Sequence, residues 1–297
     1  MGKASRRKRN AGSATKAAVD PGQARAPHVA RPFEGLPDET EWVAMREIVP
    51  AATAPLSVQL PDGSTRDITV ATVLPGAMPA LHRADGEILV ALQARTSSGD
   101  ASRDIAQAVI VANDAEPGTP ITAVRPATAG TPRLQDMLVL GQSLSAEVHE
   151  DFGFWVEGDQ ESNPEVAAAL EQTNEAAVPT ERIDSVPSAF WCQMGDRAYI
   201  RWLLAEDEDD ATIAMARLQA AGEHTLGDGT VLLGAFRAAG LLVPVFEVDT
   251  DIPSAEHADA LQAIAQRYAD ALTVTDSLTP SERRARDGII SRQVTLR

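Results

Sequence analysis

Residues 190–204 read Phe-Trp-Cys-Gln-Met-Gly-Asp-Arg-Ala-Tyr-Ile-Arg-Trp-Leu-Leu, and their reading decides the fold class. Phe190–Gln193 and Ala198–Leu204 are two runs rich in aromatic and branched residues. Between them Gly195-Asp196 supplies the turn, so the stretch predicts an antiparallel hairpin. The acidic run Glu206–Asp210 follows, and Asp210 is expected to cap a helix through about 221. Beyond it, 230–237 and 241–248 predict a second hairpin around Ala239-Gly240. Ser254 then opens a helix to 272 with Leu261, Ile264, Ala265, Tyr268 and Leu272 on one stripe.

The same order is predicted upstream. Trp42, Met45 and Ile48 recur at helical spacing in 39–50, and Pro50 stops the run. Strands are expected at 56–60 and 67–73 around Asp62-Gly63, and at 87–94 after Asp85-Gly86. Asp100 then caps a helix to about 112. Further strands are expected at 136–140 and 146–156, and Asn163-Pro164 opens a helix over 164–176. A last helix starts at Thr279-Pro280, and Val294-Thr295-Leu296 could add a closing strand. The fold class is therefore α+β, in two similar halves of antiparallel strands with two helices each, an arrangement consistent with internal duplication. The expected divisions are a disordered basic tail at 1–32, a first half at 33–160 and a second half with the C-terminal helix at 161–297.

Charge separates the tail from the rest. Residues 1–31 hold eight Lys or Arg against one acid, a formal charge of +7, and residues 32–297 hold 18 Arg against 42 Asp or Glu, a charge of −24. All three lysines, Lys3, Lys8 and Lys16, lie in the tail. No Leu, Ile or aromatic residue precedes Phe33, so nothing offsets the entropy of ordering that segment. The body is long enough for one large domain or two ordinary ones, and 44% apolar residues suffice for a core. A single cysteine, Cys192, excludes an intramolecular disulfide, which fits a cytoplasmic protein. No apolar run is long enough for a transmembrane segment, and the basic start lacks the apolar stretch of a secretory signal.

The same features bound the chemistry. A phosphate-binding loop, a kinase and a pyridoxal enzyme each need a lysine that the body lacks. The five histidines form no HxH or HExxH spacing and there is no CxxC, so no metal site and no cofactor is expected. The acidic run at 206–210 is read as complementing a helix N-terminus rather than holding a cation. Cys192, between Trp191 and Gln193, is read as a small buried hydrophobe.

The dense cations Lys3, Arg6, Arg7, Lys8 and Arg9 are the candidate anion-binding residues. They suit RNA, DNA or an anionic membrane surface through counterion release. Phe154, Trp155, Trp191 and Trp202 are candidate contacts to a protein partner, should their rings be exposed.

The opening MGKASRRKRN and the stretch Glu41–Leu56, Glu-Trp-Val-Ala-Met-Arg-Glu-Ile-Val-Pro-Ala-Ala-Thr-Ala-Pro-Leu, resemble an uncharacterised actinobacterial family, a domain of unknown function with a basic N-terminus. The resemblance extends through Phe190-Trp191 to the Arg-rich last helix and implies no catalytic residue. The expected function is a non-enzymatic binding or adaptor protein, its acidic body tethered by the tail to an anionic polymer or surface. The alternatives are a hydrolase using a carboxylate-bound metal or Cys192, and a chaperone-like protein with exposed aromatic surface.

Overall fold

The computed structural model describes residues 21–95, 97–156 and 163–291. The chain enters as an irregular segment and forms α1 (Glu39–Glu47), β1 (Ala52–Gln59) and β2 (Thr65–Ala71). Then come β3 (Ala80–His82), β4 (Ile88–Ala91), α2 (Ala101–Asn113), β5 (Thr119–Ile121), α3 (Leu134–Met137) and β6 (Glu147–Val148). The second part runs α4 (Pro164–Asn174), β7 (Thr180–Arg182), β8 (Ala189–Met194), β9 (Arg197–Trp202) and α5 (Glu208–Ala221). It continues through β10 (Val231–Ala238), β11 (Leu241–Val248), α6 (Ala258–Leu272) and α7 (Pro280–Ser291). The fold is α+β, as the strand and helix patterns predict.

Two sheets organise it. The first has order β5-β3-β4-β2-β1-β6 and is antiparallel except for the parallel pair β2–β4. The second, β10-β11-β9-β8-β7, is antiparallel throughout. Each half opens with a helix, then strands, then a second long helix, but the elements after it and the wiring differ. In the first sheet the strand after α2 joins the far side of β3, whereas the hairpin after α5 joins β9.

Side-chain alternation places Ala189, Trp191, Ile200, Trp202, Leu242 and Phe246 on one face of the second sheet, against α5, α6 and Ile289 of α7. The opposite face is shared. Phe190, Leu203, Leu241 and Val243 join Phe33, Trp42 and Met45 in a core that spans both halves.

Polar bonds fasten the same junction. Glu41 receives both terminal guanidinium nitrogens of Arg182 and the Ser188 hydroxyl at 2.5 Å, and Ser188 Oγ also lies 2.7 Å from Thr40 Oγ1. Arg31 bonds Glu39 at 2.7 and 2.9 Å, the Ala205 carbonyl at 3.0 Å, and Asp207. It lies against the β10–β11 turn, where Gly240 has φ +90°.

Several local expectations change. Asp207, not Asp210, is the N-cap position of α5, and its carboxylate is drawn to Arg31 instead of its own helix. Asp210 lies inside the first turn, where its charge still complements the helix dipole. The predicted strand at 136–140 is shortened, because Asp136 accepts the Arg133 N–H at 2.8 Å and draws residues 134–137 into the single turn α3, leaving Leu138 as an isolated antiparallel bridge to Val58 of β1. In 146–156 only Glu147–Val148 pairs with the edge of β1. Asp151 then accepts the Gly153 N–H at 2.7 Å and turns the chain away from the sheet. Asp100 caps α2 as expected and is buried between Arg103 and Arg133, its Oδ2 lying 3.3 and 3.2 Å from their Nε atoms. The closing 294–296 segment lies outside the described residues.

Candidate binding site

The aromatic segment Phe152–Trp155 builds one wall of an apolar concavity. The turn begun by Asp151 packs Phe152 on Trp155, with ring centroids 4.5 Å apart. Trp155 donates its indole N–H to the Val73 carbonyl at 2.9 Å, locking the ring against the turn after β2. In that turn Leu74 is buried, while Gly76 and Ala77 both adopt left-handed backbone (φ 62° and 53°). Arg83, paired with Glu87, donates to the Phe154 carbonyl. His149 lies behind Phe154, its Nε2 2.7 Å from Thr53 Oγ1 and its ring 5.1 Å from the Phe154 ring.

Helix α4 closes the other side. Asn163 caps it by accepting the Glu165 N–H at 3.0 Å, with Pro164 in the first turn. At its far end Asn174 Oδ1 accepts the Phe152 N–H at 3.0 Å. Val166, Ala169, Leu170 and Thr173 face the aromatic pair across a cavity of about 570 Å³. No residue of α4 is buried, so the helix touches the body through one thin apolar stripe. A volume of this order lies within the range of small-ligand and side-chain pockets.

The two segments that bear the aromatic pair and α4 are acidic. Glu150, Asp151, Glu165, Glu171 and Glu175 are exposed on them. Between Arg133 and Arg182 the sequence holds eleven Asp or Glu and not one Lys or Arg. That base-free interval is the signal that points to this site, and the aromatic cluster inside it locates the pocket.

A larger groove of about 640 Å³ on the outer face of the first sheet is polar, but its groups bond one another. Ser57 donates to Asp67 at 2.5 Å, Thr69 to Glu87 at 2.8 Å, and Gln142 spans both backbone groups of Ser57 at 2.7 Å. Little hydrogen-bonding capacity remains there for a ligand.

The predicted site residues divide. Phe154 and Trp155 are half-buried, and Trp155 lines the cavity. Trp191 (8% exposed) and Trp202 (5%) lie in the core under α5 and α6, where Trp202 meets Tyr268 edge-on at 5.5 Å. Their strand alternation turns them inward, so they are removed as partner contacts. Among the described residues the exposed large hydrophobics are aliphatic, which leaves the chaperone-like alternative without an open aromatic surface. Lys3, Arg6, Arg7, Lys8 and Arg9 lie outside the described residues.

The residues of the hydrolase alternative are engaged structurally. Cys192 is fully buried, and burial raises its thiol pKa more than the neighbouring Arg201 lowers it. A buried, protonated thiol is a poor nucleophile. Glu206 accepts the Tyr268 hydroxyl at 2.6 Å, Asp207 pairs with Arg31 and Glu208 with Arg237. Among the described residues no group of three or more His, Cys, Asp or Glu is placed to hold a metal ion. No helix among them is long and apolar enough to cross a membrane.

The chain belongs to a family of unknown function (DUF5926), whose model matches residues 32–297. No curated protein and no solved structure matches it significantly.

Proposed function

We propose that this is a cytoplasmic, non-enzymatic binding protein whose body captures a basic amphipathic segment of a protein partner. The observation that carries this reading is the apolar cavity between Trp155 and α4, built largely by a stretch of chain that holds eleven Asp or Glu and no Lys or Arg. Apolar side chains of the partner fill the cavity, and its Lys or Arg residues meet Glu150, Asp151, Glu165, Glu171 and Glu175. Apolar anchors supply most of the affinity, and the carboxylates select and steer the partner. The basic tail adds a second attachment, to RNA, DNA or an anionic membrane surface, and makes the protein an adaptor.

The two attachments are tested separately. A model peptide with Leu at helical spacing and Lys elsewhere should bind the full chain in calorimetry, more weakly at higher salt. Leu170→Glu should weaken it at least ~10-fold, because a carboxylate would be buried among apolar side chains. Deleting residues 1–20 should abolish RNA binding and leave peptide binding in place. Unchanged peptide affinity in the Leu170→Glu protein would remove the cavity from the mechanism. Peptide binding that strengthens on deletion of 1–20 would instead identify the chain's own tail as an occupant of the acidic site.

A further inference from the structure

Arg201 lies on the inner face of β9, the face shared with Tyr199 and Cys192. It stands between Phe190 on β8 and Val245 on β11. The residue beyond Val245 in the same row is Gly234, at a register shift of β10 that leaves Leu233 unpaired beside it. Arg201 is only 6% exposed. Its Nε and Nη2 are fully buried and have no hydrogen-bond partner, and no carboxylate among the described residues pairs with it. The other interior arginines differ: Arg103 and Arg133 reach Asp100, and Arg182 reaches Glu41.

An unpaired guanidinium in an apolar bed is costly, and it cannot escape by losing its proton. Burial lowers its pKa from the ordinary value, and only the Cys192 sulfur opposes that. The two orphaned nitrogens are informative together. Nε–H and Nη2–H form one edge of the guanidinium and point in parallel, a fork that matches the two oxygens of a single carboxylate. On the same face Val178, Met194, Leu233 and Phe236 are half-buried around Cys192, Tyr199 and Val245, and beyond Tyr199 Glu247 is paired with Arg197.

We propose that this face is a second binding site, distinct from the α4 cavity, which takes a free aliphatic monocarboxylate. The carboxylate seats on the Nε/Nη2 fork of Arg201, and the chain lies over Val178, Met194, Leu233 and Phe236. Charge complementarity selects an anion, and the apolar bed selects the body behind it. The depth of the fork favours a terminal carboxylate on a thin chain over the short-stemmed Asp or Glu of a folded partner.

The test uses the full-length protein with octanoate, and octanol as the uncharged match. Octanoate should raise the thermal midpoint and bind at least ~10-fold more tightly than octanol, the scale of hydrogen bonds to a charged group. Arg201→Met should melt higher than the native chain without ligand, because it removes an unpaired buried charge. It should also bind octanoate no better than octanol. Arg201→Lys keeps the charge, loses the fork, and should retain less than half of the octanoate-induced shift. Equal binding of octanoate and octanol by the native chain, or binding of neither, overturns the proposal. So does an unaltered octanoate preference in Arg201→Met. Binding of a peptide with an apolar free C-terminus, without binding of octanoate, also overturns it and identifies a polypeptide end as the occupant.

Discussion

Gly240→Ala should uncouple the N-terminal segment from the second sheet. Two independent effects meet at this position. Its φ of +90° lies in the left-handed region that side chains rarely adopt, and a Cβ there would lie 2.8 Å from Arg31 Cβ, 3.0 Å from Cγ and 3.1 Å from Cα. The backbone strain alone costs about 1–2 kcal/mol. Relief of the contact must move the Arg31 backbone and Cβ, since the clash is not at the tip of the side chain. That motion disturbs the bonds of Arg31 to Glu39, Asp207 and the Ala205 carbonyl, worth a further ~1–3 kcal/mol for charged hydrogen bonds. The expected destabilisation is therefore about 2–5 kcal/mol. Equilibrium urea unfolding measures it, and a double-mutant cycle with Arg31→Gly separates the parts. With Arg31 reduced to glycine the Cβ and Cγ contacts disappear and only the 3.1 Å approach to Cα remains, so Gly240→Ala should cost less than in the native background, close to the strain of about 1–2 kcal/mol. An equal cost in both backgrounds, or a single-mutant cost below ~0.5 kcal/mol, the usual size of an ordinary surface change, would refute this account of the junction.

Two further outcomes follow from buried groups. Tyr268 is held protonated well above the ordinary tyrosine range, first by burial and then by its hydrogen bond to Glu206. The unfolded chain therefore loses a proton near pH ~10 that the folded chain keeps, and stability contributed by this group falls as pH rises above that point. Phenolate absorbance should show Tyr268 ionising only with unfolding, and Tyr268→Phe should flatten that part of the stability profile. Free ionisation of both tyrosines in the native protein would contradict this. Cys192, buried with a raised thiol pKa, should resist iodoacetamide in the native chain and react in urea; rapid native labelling would reopen the nucleophile.

The elements legible in the sequence are those whose signals are local. Asp100 before an apolar-periodic run, Asn163-Pro164, and the turns at Asp62-Gly63 and Ala239-Gly240 all stand where the helices and hairpins begin or turn. Misreadings occur where a distant partner competes. Asp207 displaces Asp210 at the cap of α5, although its side chain serves Arg31, 176 residues away in sequence. The strands β3 and β7 are three residues each and owe their existence to the sheets they join, so no pattern of their own announces them. In the candidate site, Trp155 and Phe154 were visible as an aromatic cluster. Trp191 and Trp202 looked equivalent, and only the choice of which sheet face meets the helices buries them.

Composition by itself determined the charge division between tail and body, the absence of lysine chemistry from residues 17–297, and the base-free acidic interval 134–181. These are sums over residues and need no coordinates. Tertiary structure alone decided that one core spans both halves, that Glu206, Asp207 and Glu208 of the acidic run are engaged by Tyr268, Arg31 and Arg237, and that Arg201 is left without a counter-ion among the described residues. Each of those depends on which residues distant in sequence are brought within bonding distance. The free energy of a charge is set by that pairing and by its distance from water, neither of which the residue types alone specify.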